Sequence, residues 1–441
     1  MSKLASGLVT LSLMFTPTIV SAQTVKGEIY SEDRDAAGAG VTVVRLWGTP
    51  YERGYAHGNL LAARIVGFLA QARGQLTGQQ YSLLRTVANG LDWLDPAFDD
   101  ELAGVLAGIL AKSPTAALDL TDLKLVSGMG DWGYLCRSHA AWGSRVAAPY
   151  ESLATRRLDY GTGFDVERDH VLFVVKPEVG PSFVNVAWPG FVGVVTGVNE
   201  YGTLVSLHDY ESATGVPGTP AASRAAIARL GLERDWGGDV STHLAAFEAA
   251  LSTVQPQTGT FVNFYAPNGA GGVITCLRDT GCAAARTPQS DYYGGEVLVT
   301  TNSDTTGHQT PIGGEFMATY YNDSTPKTLQ SHFDLMGNSG LHLFSVGYRA
   351  ASDMTLWFKG QATTGTTSRL ELEWTTLFQA FSRCNDHVIG PGEHCGATTP
   401  SDYRPSAPDE GCAATPPTFL AVLAVACCLR RRMSSVVNPK A

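Results

Sequence analysis

One cysteine and a downstream Arg-x-x-Asp sequence are the residues whose types and spacing best suit chemistry. Cys136 lies in the stretch Leu-Cys-Arg-Ser-His-Ala-Ala-Trp-Gly, and Arg156 and Asp159 follow it within Arg-Arg-Leu-Asp-Tyr. A thiolate attacks carbonyl carbon, while a guanidinium and a carboxylate can hold the acyl group that it attacks. The pattern predicts a thiol nucleophile at the mouth of a strand. It also predicts self-cleavage between Leu135 and Cys136, after which one residue carries both the thiol and a new α-amine.

The remaining cysteines indicate an oxidising compartment. Cys276 and Cys282 bracket one short turn, and Cys384 and Cys395 bracket another. Both pairs suit disulfides in an exported protein. Cys136 is left without a partner, which indicates a reactive thiol. Taken alone, Cys136 also fits a second interpretation, a buried small hydrophobic residue.

Both ends of the chain carry targeting patterns. Residues 1–22 combine a lysine, an apolar run and a Val-Ser-Ala cleavage site, which is typical of a secretory signal peptide. Near the other end, Gly411-Cys412 precedes the apolar segment 418–429 and the arginines 430–432. That segment is shorter than the roughly 20 residues of a bilayer-spanning helix. The arrangement resembles the C-terminal surface-sorting tails of myxobacterial proteins, which implies that Cys412 is a processing site. A plain tail anchor is the alternative, and either one predicts export to the cell envelope or surface.

The predicted secondary structure changes near Cys136 from mostly helices to mostly strands. Residues 23–40 are expected to form a flexible lead-in, and residues 41–125 show mostly helical spacing, with Asp95-Pro96 opening a helix. After Cys136, short β-rich runs bounded by turns predict strands, interrupted by two helices near 220–233 and 240–254. Such a grouping predicts an α+β fold. The expected units are a signal peptide (1–22), a helical propiece (23–135), a catalytic core (136–380), a Cys/Pro/Gly-rich linker (381–410) and the sorting tail (411–441).

Charge and missing motifs exclude several classes of protein. The formal net charge is −10, and the sequence has no basic cluster before its C-terminal end, which argues against nucleic-acid binding. It contains no Gly-x-Ser-x-Gly elbow, phosphate-binding loop, His-Glu-x-x-His motif or dinucleotide fingerprint. One cluster has a spacing that could form a tetrahedral zinc site: Cys384, His387, His394 and Cys395. The intervening Gly-Pro-Gly favours a small disulfide loop instead, so no metal and no cofactor are predicted.

Five segments, in the same order along the chain, resemble the isopenicillin N acyltransferase family (acyl-coenzyme A:6-aminopenicillanic acid acyltransferase). Members of this family are autoproteolytic cysteine acyltransferases and hydrolases with the N-terminal-nucleophile fold. The resemblance covers roughly residues 41 to 375. It rests on Gly48–Gly58, Cys136–Gly143, Arg156–Tyr160, Trp188–Gly202 and Thr300–Ser303.

The resemblance implies a four-layer αββα sandwich and a role for each matched residue. Cys136 would be the nucleophile, and its freed α-amine the base. Arg156 and Asp159 would orient the amine and the substrate, and Asn302 would bind the oxyanion. An α-amine titrates near 8 and a thiol near 8.5, so the two groups can exchange a proton close to neutral pH. On the residues alone, Arg156 and Asp159 also fit a surface ion pair, and Asn302 also fits a turn cap.

The central hairpin supplies two further candidates, and the cleavage junction departs from the family pattern. His208 stands where relatives usually have an asparagine, and His208 and Asn199 are candidate substrate-binding residues. Leu135 replaces the usual glycine before the cleavage point, and Arg137 replaces a small hydroxyl residue after it. These departures keep open a non-catalytic surface module that retains the fold.

Together these observations predict an exported cysteine amidohydrolase or acyltransferase. It would cleave or transfer an acyl group from an amide or thioester through a thioester on Cys136, with its own propiece as a subunit. Water is the expected acceptor outside the cell. A phospholipase-like esterase is a further alternative, because it shares the same nucleophile logic. The expected partners are a small acyl amide and, through the tail, the membrane or cell envelope.

Overall fold

The computed structural model describes residues 23–34, 40–131, 135–159, 169–210, 221–291, 295–302, 320–337, 342–362, 365–366 and 369–378. Within them helices and strands are mixed, and the predicted α+β class is confirmed. The predicted signal peptide, linker and sorting tail lie outside the described residues. Cys384, Cys395 and Cys412 belong to those segments, so they also lie outside the described residues.

The N-terminal part of the chain contributes strands as well as helices. The flexible lead-in expected up to residue 40 is wrong for residues 27–34, which pair as a strand with the next one. That next strand is rich in buried β-branched residues such as Val43 and Val44, which suits a strand covered on both faces. The elements are β1 (Gly27–Arg34), β2 (Gly40–Gly48), α1 (Pro50–Leu60), α2 (Ala62–Gly74), α3 (Gly78–Asn89), α4 (Pro96–Lys112) and α5 (Leu120–Ser127).

Local capping explains where these helices begin. Thr49 and Glu52 form a capping box at the start of α1, each side chain accepting a backbone N–H of the other residue. The predicted start of α4 is confirmed: Asp95 caps it by accepting from Ala97 N at 2.9 Å, and Pro96 is its first residue. Gly58 allows α1 to approach α4 closely, because a Cβ there would lie 2.0 Å from Val105 O.

The rest of the described chain is mostly strands, close to the predicted runs. A short 3-10 helix (Gly128–Asp131) precedes them. The strands are β3 (Leu135–Trp142), β4 (Ser152–Asp159), β5 (Asp169–Pro177), β6 (Phe183–Ala187), β7 (Thr196–Asn199), β8 (Leu204–Asp209), β9 (Thr260–Tyr265), β10 (Gly272–Leu277), β11 (Gly281–Cys282), β12 (Val297–Thr301), β13 (His342–Ala350), β14 (Asp353–Ala362), β15 (Gly365–Thr366) and β16 (Leu370–Glu373). The helices are α6 (Arg224–Glu233), α7 (Val240–Leu251), α8 (Leu329–Leu335) and α9 (Trp374–Phe378).

These strands form two sheets. The nine-stranded sheet has the order β1-β2-β5-β6-β7-β8-β9-β10-β11. The seven-stranded sheet has the order β12-β3-β4-β13-β14-β15, with β16 paired to β14. β2 runs parallel to β5, with Gly40 opposite Asp169 and Gly48 opposite Pro177. The segment before Cys136 therefore completes the nine-stranded sheet in addition to supplying helices.

Alternate residues of β3 and β4 contribute to two different hydrophobic clusters. Ala140 and Ala154 belong to a cluster that also contains Leu172 and other residues of the nine-stranded sheet. Ala141 belongs to a second cluster with Phe333 of α8. We call the first side of β3 and β4, toward the nine-stranded sheet, the inner face, and the side toward α8 the outer face. A third cluster joins the nine-stranded sheet to α1, α2, α4, α5, α6 and α7.

Candidate active site

Cys136 is the second residue of β3, which lies between β4, the strand of Arg156 and Asp159, and β12, the strand that Asn302 follows. Its pairing partner on β4 is Leu158, and β12 flanks β3 on the other side. The residue is 3% exposed, and its thiol is free. Leu135, the residue before it, pairs with Asp159 through the backbone. The sequence-predicted nucleophile therefore lies buried on the inner face at the start of a strand.

Arg156 contacts the sulfur directly. Its Nη2 donates to Cys136 Sγ at 3.0 Å and to the Leu207 carbonyl oxygen at 2.9 Å. Its Nη1 lies 3.1 Å from His342 Nε2. The whole Arg156 residue is buried. A buried guanidinium at this distance favours the thiolate, because the positive charge is poorly screened there.

Burial nevertheless dominates the ionisation of the thiol. Desolvation raises the pKa of Cys136 to about 12. Arg156 is the strongest opposing influence, while Asp159 and Asp209 raise the thiol pKa further and Arg224 lowers it. The 3.0 Å contact and the raised pKa thus point in opposite directions, and the cost of burying a charge is the larger of the two. The thiol is protonated at neutral pH, so nucleophilic attack requires a base nearby.

Asn302 contacts the nitrogen of the same cysteine. Its Oδ1 accepts a hydrogen bond from the backbone N–H of Cys136. Its Nδ2 donates to the Asp209 carbonyl oxygen at 3.0 Å. The amide is therefore oriented by Asp209, with its oxygen toward the nitrogen that self-cleavage would convert into an α-amine. The predicted role of Asn302 was to bind an oxyanion, whereas its observed contact is to the backbone nitrogen of Cys136.

Asp159 lies on the other face of β4 from Arg156. Residues three apart on a strand point to opposite sides of the sheet. The Asp159 carboxylate accepts from Arg157 Nε at 2.6 Å and is about one-fifth exposed. The expectation that Arg156 and Asp159 act together on the substrate is therefore corrected: the ion pair is Arg157–Asp159. The charge of Asp159 raises the pKa of the Cys136 thiol.

His208 lies deep between the sheets. It is fully buried, and its Nε2 is hydrogen-bonded to Ser138 Oγ, two residues beyond the nucleophile. Burial, followed by the positive charge of Arg156, lowers the pKa of His208 well below its ordinary value. A neutral imidazole on the inner face positions Ser138 and the start of β3. His208, the predicted substrate-binding residue, thus has a protein hydroxyl as its hydrogen-bond partner.

Asn199 has a different role from the one predicted. Its Oδ1 accepts from the backbone N–H groups of Tyr201 and Thr203, both at 3.2 Å. Its Nδ2 donates to Leu232 O at 3.3 Å. These bonds close the β7–β8 turn and tie it to α6, as asparagine side chains commonly do in turns. The prediction of Asn199 as a substrate-binding residue is therefore replaced by a turn function.

The sequence analysis missed a charged network beside the cleavage junction. Arg224 Nη1 donates to Asp209 Oδ1 at 2.7 Å. Arg224 N and Ser223 Oγ donate to the carboxylate of Asp131 at 2.9 and 2.7 Å. Burial raises the pKa of Asp131, and Arg224 opposes that shift. Through Asp209 and Asn302, the network connects the segment before Cys136 with the Cys136 nitrogen. The one signal in the sequence is that Asp209 directly follows His208.

The remaining predicted features lie away from the nucleophile. Cys276 and Cys282 are joined by a disulfide with an S–S distance of 2.09 Å. Within the described ranges, no three His, Cys, Asp or Glu residues are grouped so as to hold a metal ion. In the same ranges, no helix has the length and apolar character needed to cross a membrane.

Similarities to known proteins were found by comparison of structures and not by comparison of sequences. No family model matches the chain, and no curated protein matches it in sequence. Among solved structures, it is similar to the Caenorhabditis elegans ortholog of N-acylethanolamine-hydrolyzing acid amidase. The sequences are 14% identical, the TM-score is 0.38, and the match covers 48% of this chain and 92% of that one. At this identity and TM-score, the similarity assigns neither a family nor an activity to the chain.

Proposed function

We propose that the protein is an autoproteolytic cysteine amidohydrolase or acyltransferase of the N-terminal-nucleophile type, with an αββα sandwich. One observation carries the proposal: the sulfur and the backbone nitrogen of Cys136 each have an oriented hydrogen-bond partner. The sulfur accepts from Arg156 at 3.0 Å, and the backbone nitrogen donates to Asn302. A residue whose thiol and nitrogen are both held by buried side chains is prepared to work as nucleophile and base together.

Self-cleavage supplies the base. The Cys136 sulfur adds to the Leu135 carbonyl carbon while the thiol proton passes to the Cys136 nitrogen, and the bond from that carbon to the nitrogen breaks. Water then hydrolyses the resulting thioester, releasing Leu135 as a carboxylate and leaving a free thiol and an α-amine on Cys136. Burial raises the thiol pKa to about 12, so later turnover needs a base, and the α-amine that cleavage creates supplies it.

Turnover repeats the same chemistry on a substrate. The amine takes the thiol proton, the thiolate adds to an acyl amide carbonyl, and the leaving amine departs with a proton. The acyl group remains on Cys136 as a thioester, which water hydrolyses. Arg156 stabilises the thiolate throughout, and Asn302 keeps the amine in line with the sulfur.

We propose that the piece before Cys136 stays bound after cleavage. β2 pairs with β5 along its whole length. Glu101 of α4 accepts from Arg53 at 2.9 Å and from Arg229 of α6 at 2.6 Å, and all three residues are buried. Removing one member of a buried charge cluster typically costs about 3–5 kcal/mol, so the cluster resists separation of the two pieces.

Export and surface attachment remain part of the proposal. They rest on the signal-peptide pattern of residues 1–22 and on the tail that begins near Cys412. The disulfide between Cys276 and Cys282 suits an oxidising compartment. In that setting water is the proposed acceptor, so the reaction is hydrolysis of an acyl amide.

The experiment follows turnover of a chromogenic N-acyl amide by the full chain, together with gel analysis of processing. Cys136→Ala should abolish both, since no other side chain can replace the sulfur. Cys136→Ser should process slowly and turn over poorly, because a hydroxyl is a weaker nucleophile near neutral pH. Wild-type turnover by Cys136→Ala would sink the proposal.

A non-catalytic surface module is the second candidate, favoured by the burial of Cys136 and its thiol pKa of about 12. It predicts an uncut chain with no turnover of any acyl amide. A panel of lipid esters run beside the amides separates a phospholipase-like esterase, which would prefer the esters.

A further inference from the structure

The side of Arg156 away from the nucleophile is held by a histidine that neither the sequence analysis nor the proposed chemistry assigned. His342 is the first residue of β13 and pairs with Leu158 of β4. Its Nε2 lies 3.1 Å from Arg156 Nη1 and 3.1 Å from Thr196 Oγ1 of β7. We propose that His342 is a positioning residue that holds Arg156 against the Cys136 sulfur without neutralising its charge. This inference rests on the proposed function of Cys136.

The direction of the hydrogen bond fixes the form of the imidazole. A guanidinium has donors and no acceptor, so His342 Nε2 must accept from Arg156. The ring is then neutral, with its proton on Nδ1. On the opposite side of the guanidinium, Nη2 is anchored to the Leu207 carbonyl of the nine-stranded sheet. Arg156 is thus fixed between the two sheets, and its second Nη2 contact is to Cys136 Sγ.

The choice of an imidazole has an electrostatic consequence. A carboxylate at this position would cancel much of the charge that stabilises the thiolate, whereas a neutral ring accepts the same hydrogen bond and leaves the charge in place. The groups that face His342 are Arg156 of β4, His170 of β5, Thr196 of β7 and the aromatic rings of Trp188 and Phe358. Burial, followed by Arg156 and His170, lowers the pKa of His342 well below its ordinary value. The acceptor is therefore kept across the neutral and mildly acidic range.

The test compares two amide side chains of different length, glutamine and asparagine, at position 342. In His342→Gln, the side-chain oxygen can reach the place of Nε2 and accept from Arg156. In His342→Asn, the side chain is equally polar but too short to do so. The Cys136 thiol is titrated in the full chain by thiolate absorbance over the pH range in which circular dichroism shows the chain to be folded, with Cys136→Ala subtracted. This reading requires neither turnover nor a reagent that reaches the buried sulfur.

We expect His342→Gln to resemble the wild type. His342→Asn should lower the thiolate fraction at a given pH roughly tenfold, because Arg156 is held less well against the sulfur. With an active preparation, kcat should fall by a similar factor with KM nearly unchanged, since the change affects the nucleophile and not substrate binding. Ser345→Ala is the matched control: Ser345 is bonded to Thr155 Oγ1 at 2.8 Å on the outer face of the same strand pair. It should leave the thiol titration unchanged.

Equal thiol titrations in His342→Gln and His342→Asn would overturn the positioning role. A shift in the thiol titration without turnover in the wild type would instead preserve that role and reject the proposed function. An equal shift in Ser345→Ala would mean that any weakening of the β4–β13 pair is sufficient, which also contradicts the inference.

Discussion

The inner and outer faces of the β3–β4 pair are built from alternating residues of the same two strands, yet they differ in kind. On the inner face, Cys136 and Arg156 are in contact between the two sheets. On the outer face, Arg157 pairs with Asp159, and His139 packs under α8 with the His332 ring 4.2 Å away. A shift of one residue along a strand therefore separates a buried thiol and its cation from an ion pair and a packed aromatic group. Neighbouring residues in this sequence are poor guides to shared function.

The difference between the two faces is tested most strongly by replacing Arg156 and Arg157 in turn. An adjacent opposite charge shifts a pKa by about 1–3 units, so Arg156→Leu should lower the thiolate fraction roughly 10- to 1000-fold. Arg156→Lys should recover only part of this loss, since one ammonium cannot reach the sulfur, Leu207 O and His342 together. The measurement is kcat for an acyl amide with the thiol titration beside it.

Arg157→Leu is the matched control for that experiment. Arg157 donates to Asp159 and, at 2.6 Å, to the Met336 carbonyl oxygen. Its loss should lower the free energy of unfolding and leave the thiol titration close to that of the wild type. An Arg157→Leu thiol as strongly shifted as that of Arg156→Leu would contradict the separation of the two faces.

On the outer face, the buried His139 should make the free energy of unfolding depend on pH. Burial lowers the pKa of His139 from the ordinary value of 6.5 to about 3. The unfolded chain therefore binds a proton that the folded chain does not, and stability is lost as the pH falls below about 6.5 toward 3, by at most about 1.4 kcal/mol per pH unit for this residue. His332, which faces it, acts in the same direction, because burial, followed by His139 and Lys327, lowers the pKa of His332 well below its ordinary value. Tyr321 is hydrogen-bonded to His139 Nδ1.

His139→Asn keeps a polar atom near Nδ1 for Tyr321 and removes the titrating ring. Denaturant unfolding at pH 7 and pH 5 should show a smaller loss of stability on acidification in this variant than in the wild type. Identical losses would show that His139 does not titrate between the folded and unfolded states, against the description of a buried neutral ring.

The smallest expected effect concerns Asp159. Asp159→Asn breaks a partly exposed ion pair, for which about 0–1 kcal/mol of stability is typical. Removing its negative charge should also lower the thiol pKa slightly, because Asp159 raises it. Turnover should therefore stay within a few-fold of the wild type. Loss of both processing and turnover in Asp159→Asn would restore the role that the sequence resemblance implied.

The fold was largely predictable because hydrophobic periodicity is a local signal. The runs that became β5, β8, β9 and β13, and the Asp95-Pro96 start of α4, follow from neighbouring residues alone. The lead-in was misjudged because β1 gains its stability from pairing with β2, a contact made after the chain reverses. Its charged residues, such as Glu32 and Asp33, carry no strand signal of their own.

The site was predictable only in part, for a related reason. Cys136 and Arg156 were found from their types and spacing, but their side chains meet because β3 and β4 pair in one particular register. Side chains alternate between the two faces of a strand, so Asp159, three residues after Arg156, lies on the outer face. This follows from the sequence only once β4 is known to extend to Asp159. Arg224 and His342 lie far from Cys136 in sequence, and strand order brings them close. No local pattern marks either residue.

The most direct test of the account is N-terminal sequencing and intact-mass analysis of the purified, active protein. Self-cleavage would convert the Cys136 nitrogen, which donates a hydrogen bond to Asn302, into a free α-amine. It predicts two co-purifying pieces, the larger beginning Cys-Arg-Ser-His and the smaller ending at Leu135. An active preparation that remains one chain, with the Leu135–Cys136 bond intact, would contradict the central claim.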